Sequence, residues 1–196
     1  MIINILLFDD FETLDVFGPV EVFGKAEEFE LRYYSANGGI VTSGQGAKIL
    51  TEKISQADTS GILLVPGGQG TRTLVDNSVF ISVLRSLAEA AEYCLCVCTG
   101  SALLAKTGLL DNIRATTNKK SYEWAVSQND KVLWAPKARW VHDGKFYTSS
   151  GVSAGIDMSF AFVSDILGAE KASQIANHIE YIRNTDSEFD PFTRIM

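Results

Sequence analysis

The chain is poor in the side chains that build disulfides and metal centres. Its 196 residues include three cysteines and two histidines. The cysteines, Cys94, Cys96 and Cys98, alternate along one short segment, and residues two apart on a strand do not readily close a disulfide. The histidines, His142 and His178, form no group with cysteine or acidic residues at metal-ligand spacing. We therefore expect no structural disulfide, no metal and a reducing, cytoplasmic compartment.

Basic residues are also scarce. Lysine and arginine together number 17 against 24 acidic residues, which gives a formal net charge of −7. Because no block of lysine and arginine occurs, the sequence argues against a nucleic-acid partner and against a basic membrane-binding helix. No apolar run approaches membrane-spanning length. The apolar segment Met1–Phe8 is too short for a secretion signal and runs into Asp9 and Asp10, so we interpret it as a first β-strand.

What the chain does contain is an alternation of strand and helix patterns within ordinary globular composition. Hydrophobic residues make up 46% of the sequence, which is enough for one sizeable core. The alternation predicts a single α/β domain, doubly wound and flavodoxin-like, with a mostly parallel sheet and a small hairpin. We assign residues 1–183 to this domain and interpret residues 184–196 as a polar tail, which we expect to be loose.

The predicted elements follow from apolar periodicity and from the turn residues that separate them. The predicted strands are 2–8, 29–35, 40–42, 62–65, 94–97, 131–134, 140–142 and 145–149. The predicted helices are 13–26, 78–92, 99–105, 121–127, 153–167 and 169–182.

The segment Tyr93–Ala105 carries the strongest chemical signal. Its first half reads as a buried strand, and residues 102–105 are strong helix formers. A side chain at such a corner lies at a helix N-terminus, where free N–H groups favour an anion. For Cys98 we expect this nucleophile elbow to lower the thiol pKa and produce a nucleophile. Cys94 and Cys96 lie in mid-strand and are expected to be core residues.

Two further segments with unusual chemistry follow predicted strands. Asp9–Asp15 follows the first strand, and Pro66–Gly70 is a glycine-rich loop whose backbone N–H groups are open to a ligand. A doubly wound sheet binds its ligands at the carboxyl ends of its strands. A thiol at Cys98, a carboxylic acid and bare amides can together perform acyl or nitrile-type chemistry.

The chain resembles the ThiJ/PfpI superfamily, which includes the parkinsonism-associated deglycase and has the class I glutamine amidotransferase-like fold. The resemblance extends from the first strand to about Tyr181, and within the superfamily it is greatest to the isonitrile hydratase branch. The motifs that carry it occur in the family's order: 15–23 (DVFGPVEVF), 66–68 (PGG), 97–101 (VCTGS), 108–110 (GLL), 115–117 (ATT) and 151–157 (GVSAGID).

The resemblance implies a role for individual residues. Cys98 matches the family's nucleophile, and Asp15 matches the acid that hydrogen-bonds the thiolate and stays protonated. Thr99 matches the threonine that is implicated in hydratase activity. The backbone of Gly67 and Gly68, with the Thr99 amide, matches the anion-holding groups. The resemblance further implies a cofactor-free, homodimeric enzyme that hydrates an isonitrile or a similar small electrophile, with Asp15 supplying the proton.

Two departures from the family pattern keep other functions open. Protease members have histidine directly after the cysteine, where this chain has Thr99, and hydratase-like members often have His-Trp where this chain has Asn118 and Lys119. Without a triad histidine, protease, amidase or glyoxalase-like activity is disfavoured. A non-catalytic redox or small-molecule sensor that uses Cys98 is the alternative from another class.

Three other groups were weighed for the site and set aside. Glu12 is a competing acid, but a solvated loop charge explains it better. Asp157 lies near a helix start, where an acid is favourable for structural reasons alone. The two histidines are interpreted as surface or helix-packing residues.

Overall fold

The computed structural model describes residues 1–195, over which the chain forms ten strands, seven α-helices and two short 3₁₀ helices. The strands are β1 (Ile2–Leu6), β2 (Glu30–Ser35), β3 (Gly39–Thr42), β4 (Lys48–Lys53), β5 (Ile62–Val65), β6 (Tyr93–Val97), β7 (Arg114–Ala115), β8 (Leu133–Trp134), β9 (Trp140–Asp143) and β10 (Phe146–Ser149). The α-helices are α1 (Thr13–Phe23), α2 (Thr71–Leu74), α3 (Ser78–Ala90), α4 (Gly100–Lys106), α5 (Tyr122–Val126), α6 (Ala154–Leu167) and α7 (Ala169–His178). The 3₁₀ helices are Ile54–Gln56 and Pro191–Ile195.

Eight of the strands form one sheet in the order β3-β4-β2-β1-β5-β6-β10-β9. The six strands from β4 to β10 pair in parallel, and each edge carries one antiparallel partner, β3 on β4 and β9 on β10. The chain winds outward from β1 in both directions, so the strand order reverses between β1 and β5. This arrangement confirms the predicted doubly wound α/β fold with a hairpin.

The central strands are apolar because helices cover both faces of a parallel sheet. All four residues of β5 are buried, and four of the five in β1 and in β6 are buried. Helix α3 shows how the covering layer is built. Asn77 caps it by accepting a hydrogen bond from the Phe80 N–H at 3.0 Å, and its apolar stripe buries Phe80, Leu84 and Leu87. Each such side chain contributes roughly 1.5–3 kcal/mol to folding.

Strand β4 is absent from the sequence-based prediction, and it changes the pairing of its neighbours. Its sequence, KILTEK, has charged residues at both ends and no apolar alternation, and only Thr51 is buried. Strand β3 follows β2 in the chain but pairs antiparallel with β4, which lies between them in the sheet. A polar strand near a sheet edge is stabilised by long-range backbone pairing rather than by a buried apolar face, so its local pattern is weak.

The C-terminal segment is packed against the domain, which differs from the expectation of a loose tail. The Asn184 N–H donates to Asp157 at 3.0 Å, and the Asp190 N–H donates to the Lys137 carbonyl at 2.7 Å. The Asp190 side chain is 1% exposed. Backbone hydrogen bonds and a buried carboxylate therefore anchor a segment whose composition alone indicates a solvated coil. Within residues 1–195, the helices are too short or too polar to cross a bilayer.

Candidate active site

The carboxyl ends of three adjacent strands, β1, β5 and β6, form the site. The segment that follows β1 leads to Asp15 on α1, β5 leads into Pro66–Gly70, and β6 ends immediately before Cys98. A bridge between Phe11 and Gly68 ties the first two segments together. The topology therefore brings the three predicted segments to the switch point of the sheet, where doubly wound folds bind their ligands.

Cys98 occupies a strained corner between β6 and α4. Its φ is +58°, a left-handed conformation that non-glycine residues seldom adopt. Gly100 makes this sharp corner possible, because a Cβ at that position would lie 2.4 Å from the Val65 carbonyl oxygen. The Cys98 N–H donates to the Ser149 carbonyl at 3.2 Å, which fixes the corner to β10. Cys98 is 6% exposed, whereas Cys94 and Cys96 are fully buried, as expected of core residues.

The environment of the Cys98 thiol differs from the low-pKa setting that we expected. Burial raises the thiol pKa, and a negative charge on Asp15 would raise it further. Hydrogen bonds from the Thr99 and Val152 N–H groups and from the Asn118 side chain act in the opposite direction, but burial dominates. At rest Cys98 is therefore a thiol. The desolvation of a nearly enclosed sulfur outweighs the few donors at the start of a seven-residue helix.

Asp15 is a buried carboxyl group beside this thiol. Its Oδ2 accepts the Gly67 N–H at 2.9 Å, while its Oδ1 has no hydrogen-bond partner among the described residues. Burial raises its pKa from 3.8 to about 8 and the nearby Glu12 charge raises it further, while the Gly67 hydrogen bond and the adjacent Cys98 thiol oppose the shift. Asp15 is therefore mostly protonated at neutral pH and can donate a proton from Oδ1.

The glycine-rich loop and Thr99 form a clamp rather than an open anion cradle. The Gly68 N–H donates to the Thr99 hydroxyl at 3.1 Å, and the Gly67 N–H is already used by Asp15. Both N–H groups therefore face protein atoms, whereas we expected them to face a substrate anion. A Cβ at Gly67 would lie 2.6 Å from both the nitrogen and the hydroxyl of Thr99, so only glycine allows this close contact.

Two groups at the thiol, Asn118 and the backbone of Val152, are absent from the sequence-based site. Asn118 follows β7 and Val152 follows β10, and both direct hydrogen bonds at Cys98. Val152 has φ +45°, which is strained for a β-branched residue. The sequence held one usable signal, since Asn118 stands at a position where the chain departs from the family motif.

A cavity of about 270 Å³ opens beside these two residues. Its lining comprises Asn118, Lys119, Lys120, Ser150–Ser153 and Phe192 of the C-terminal segment. Burial lowers the pKa of Lys119 to about 8, but its Nζ donates to the Ala138 carbonyl at 2.6 Å and to the Thr116 hydroxyl at 2.8 Å. Its ammonium group is therefore held by protein oxygens and braces the wall of the cavity.

The structure places both histidines away from Cys98. His142 stacks on Tyr147 with a centroid distance of 3.9 Å and bonds the Gly144 carbonyl. His178 ends α7, on the surface beside Lys25. The described residues thus provide no imidazole base for a Cys-His-acid triad, and within them no group of His, Cys, Asp or Glu has the arrangement of a metal centre.

Asp157, which we set aside as a structural acid, belongs to a second buried charge cluster. Arg139 donates to Asp157 through Nε at 2.7 Å and lies 3.5 Å from Asp190. The other Asp157 oxygen accepts the Tyr181 hydroxyl at 3.1 Å. We call Arg139, Asp157 and Asp190 the arginine cluster. It joins the residue before β9, helix α6 and the C-terminal segment, and its contacts explain why that segment is packed against the domain.

Comparisons with known proteins agree with this fold. The model of the DJ-1/PfpI family matches residues 1–165. An isonitrile hydratase of Pseudomonas putida is 31% identical over 182 residues, which cover 91% of this chain and 78% of that protein. The crystal structure of a ThiJ/PfpI family protein from Pseudomonas syringae has a TM-score of 0.85 at 24% identity and covers 93% of this chain and 76% of that one. Drosophila melanogaster DJ-1beta has a TM-score of 0.78 at 19% identity, over 92% of this chain and 98% of that one.

Proposed function

The chain belongs to the DJ-1/PfpI family, and on that premise we propose that it is a cofactor-free, cysteine-dependent enzyme that hydrates a small isonitrile to an N-substituted formamide. Cys98 is the nucleophile and Asp15 is the proton donor. The observation that carries the proposal is the pairing of a buried thiol with a carboxyl group whose pKa is raised to about 8. The similarity to an isonitrile hydratase supports the choice of substrate.

Isonitrile hydration suits a neutral thiol and a neutral acid, because a nucleophile and a proton are added to the same carbon. In our scheme the Cys98 sulfur bonds to the terminal carbon, Asp15 delivers its proton to that carbon, and the thiol proton passes to Asp15. The product of this step is a thioformimidate on Cys98. Water then adds across its C=N bond, with the oxygen going to carbon and one proton to nitrogen. The C–S bond breaks, the hydroxyl proton returns to the sulfur, and the N-substituted formamide leaves.

The donors around the sulfur have a role in the same scheme. As the thiol proton departs, negative charge develops on sulfur, and the Thr99 and Val152 N–H groups and the Asn118 side chain stabilise it. These groups are held in place before the reaction, so they require little reorganisation. Thr99 also ties the Gly67–Gly68 loop to the elbow, which keeps Asp15 in position through the Gly67 N–H.

The alternatives are supported less well by the same observations. A peroxide sensor requires an exposed thiolate at rest, whereas burial raises the pKa of Cys98. Protease, amidase and glyoxalase-like mechanisms require a base near the thiol, and both histidines lie elsewhere in the described chain.

A homodimer stays a prediction from the family resemblance, which light scattering of the purified protein tests directly.

The test is formation of an N-alkylformamide from an alkyl isonitrile, followed by mass spectrometry. We expect Cys98→Ala to reduce turnover to the background rate, because no other described thiol reaches the site. We expect Asp15→Asn to lower kcat/KM by about 100-fold or more, since it removes a positioned general acid. Cys94→Ala is the matched control and should retain wild-type kcat/KM. Wild-type kcat/KM in Cys98→Ala would overturn the proposal.

A further inference from the structure

Arg72 is fixed beside the elbow by the residue that precedes it. Thr71 is fully buried, and its hydroxyl donates to the Gly68 carbonyl at 2.7 Å and lies 3.1 Å from the Thr99 hydroxyl. Thr99 adjoins Cys98 in the chain. The backbone at Arg72 is therefore held close to the Cys98 elbow, where the glycine-rich loop becomes α2.

The Arg72 side chain lies against an aromatic ring and has no polar side-chain partner within the part of the chain that the structure describes. Its guanidinium carbon lies 3.4 Å from the centroid of the half-buried Trp124 ring on α5. Stacking uses the face of the guanidinium and leaves the N–H donors at its edge free. Among the described side chains Arg72 makes no hydrogen bond or ion pair. The arginines that do bond protein oxygens are Arg32, Arg85, Arg114, Arg139 and Arg183.

The guanidinium of Arg72 lies close enough to Cys98 for the charge of one group to act on the other. Burial lowers the pKa of Arg72, and the charge of a Cys98 thiolate raises it, so the two groups lie within electrostatic range. A guanidinium stays charged at any physiological pH. A fixed, partly desolvated cation with unused donors near a reactive group recognises an anion, and a carboxylate matches its planar fork best.

We propose that Arg72, stacked on Trp124, is a specificity-determining residue that binds a carboxylate on the substrate while the reactive carbon of that substrate reaches Cys98. The inference rests on the proposed function for the identity of the reacting group. Together they indicate a substrate class, namely isonitriles that carry a carboxylate, such as the isocyano counterpart of an amino acid.

The anion preference can be measured without any isonitrile. Iodoacetate and iodoacetamide have nearly the same size and alkylate the same thiolate, but only iodoacetate is charged. The ratio of their rate constants at Cys98 therefore cancels the thiol pKa and isolates attraction for the anion. We expect the wild-type ratio to exceed that of Arg72→Gln by about tenfold at low ionic strength, the effect of one charged hydrogen bond. Peptide mass spectrometry assigns the label to Cys98.

Two further variants sharpen this measurement. Trp124→Leu removes the platform and should lower the ratio part of the way toward that of Arg72→Gln. Arg85→Gln is the matched control, since Arg85 is an exposed arginine that pairs with Glu89 on α3, and it should keep the wild-type ratio. Thermal unfolding verifies that each variant is folded. Equal ratios in folded wild-type and Arg72→Gln protein would overturn the role of Arg72.

A second measurement separates this inference from the proposed function. With a carboxylate-bearing and a neutral isonitrile of equal size, Arg72→Gln should lower the ratio of their kcat/KM values by about tenfold. If wild-type protein hydrates neither compound while its alkylation ratio still depends on Arg72, the isonitrile function fails and the anion site stands. If both are hydrated and neither ratio responds to Arg72, the function stands and the anion site fails.

Discussion

The arginine cluster and the Cys98–Asp15 pair are both buried and ionisable, yet they are built in opposite ways. In the cluster, Arg139 lies between two carboxylates, and the second Asp157 oxygen accepts a hydroxyl and a backbone N–H. In the pair, Asp15 Oδ1 has no partner among residues 1–195, and the neighbouring group is a thiol instead of a cation. The carboxylates of the cluster share a cation within the fold, whereas Asp15 has no cation beside it and keeps its proton.

This difference separates a structural role from a chemical one. A buried carboxylate with a cation and full hydrogen bonding stays ionised and holds elements together. A buried carboxyl group without a cation avoids the cost of desolvating its charge by keeping its proton, and that proton is then available for transfer. The strained φ values of Cys98 and Val152 occur beside the Cys98–Asp15 pair and not in the arginine cluster. Both groups are buried, so burial does not distinguish them. The hydrogen-bond and charge partners of the carboxyl groups do.

The largest expected effect comes from breaking the arginine cluster. Arg139→Met leaves Asp157 and Asp190 buried without their cation, which should lower the free energy of unfolding by about 3–5 kcal/mol. Urea denaturation measures the loss. Arg85→Met, which breaks an exposed pair with Glu89, should cost far less because solvent screens that pair. Equal losses in the two variants would remove the distinction between the cluster and an ordinary surface ion pair.

The pH dependence of stability tests the Cys98–Asp15 pair, the other member of the comparison. Because folding raises the Asp15 pKa from 3.8 to about 8, the native state holds a proton in this window that the unfolded state has lost. The stabilising contribution is complete at low pH and is lost as the pH rises from about 4 to about 8, with a slope of up to about 1.4 kcal/mol per pH unit.

Asp15→Asn is the reference for that experiment, since it removes the titrating group and preserves the shape of the side chain. Subtracting its urea-denaturation curve at each pH from that of the wild type isolates the Asp15 contribution. The raised pKa of Cys98 places its titration above this window. If the two proteins lose stability in parallel between pH 4 and pH 8, Asp15 is not the buried acid described above.

The smallest expected effect concerns strain at the site. Val152→Gly relieves the φ of +45° and should raise the free energy of unfolding by about 1 kcal/mol, after the entropy of glycine in the unfolded chain is subtracted. Turnover should fall, because the Val152 N–H at the sulfur becomes less rigid. Val126→Gly, in helix α5, is the matched control and should destabilise the protein by about 1 kcal/mol. A Val152→Gly protein less stable than the wild type would contradict stored strain.

Much of the fold was accessible from local patterns. The strand at Ile62–Val65 was predicted with the bounds that the structure has, and the strand-cysteine-helix corner at Cys98 was also predicted. Helix ends were extended too far, as in the predicted helix 13–26, which ends at Phe23. The fold class and the family are confirmed. Strand β4 was missed because its stability comes from partners distant in sequence.

The candidate site divides in the same way. The residue types at Cys98, Asp15 and Thr99 were identified from motifs, and these side chains do lie at one place in the structure. The direction of the thiol pKa was predicted wrongly, because a sequence does not reveal how completely the sulfur is enclosed. Sequence also does not reveal where the N–H groups of Gly67 and Gly68 point, or that Asn118 reaches Cys98. Both depend on how separate segments pack together.

The sequence by itself determined the order of the elements, the position of the proposed nucleophile and the absence of a histidine next to it, because these properties depend on residues adjacent in the chain. Only the tertiary structure decided which acidic side chains are paired with a cation and which keep a proton. This depends on burial and on partners more than 50 residues away in the chain, as between Asp15 and Gly67 or Arg139 and Asp190. Desolvation and pairing are properties of the packed molecule. They separate the acid that holds this fold together from the acid that we propose to be its proton donor.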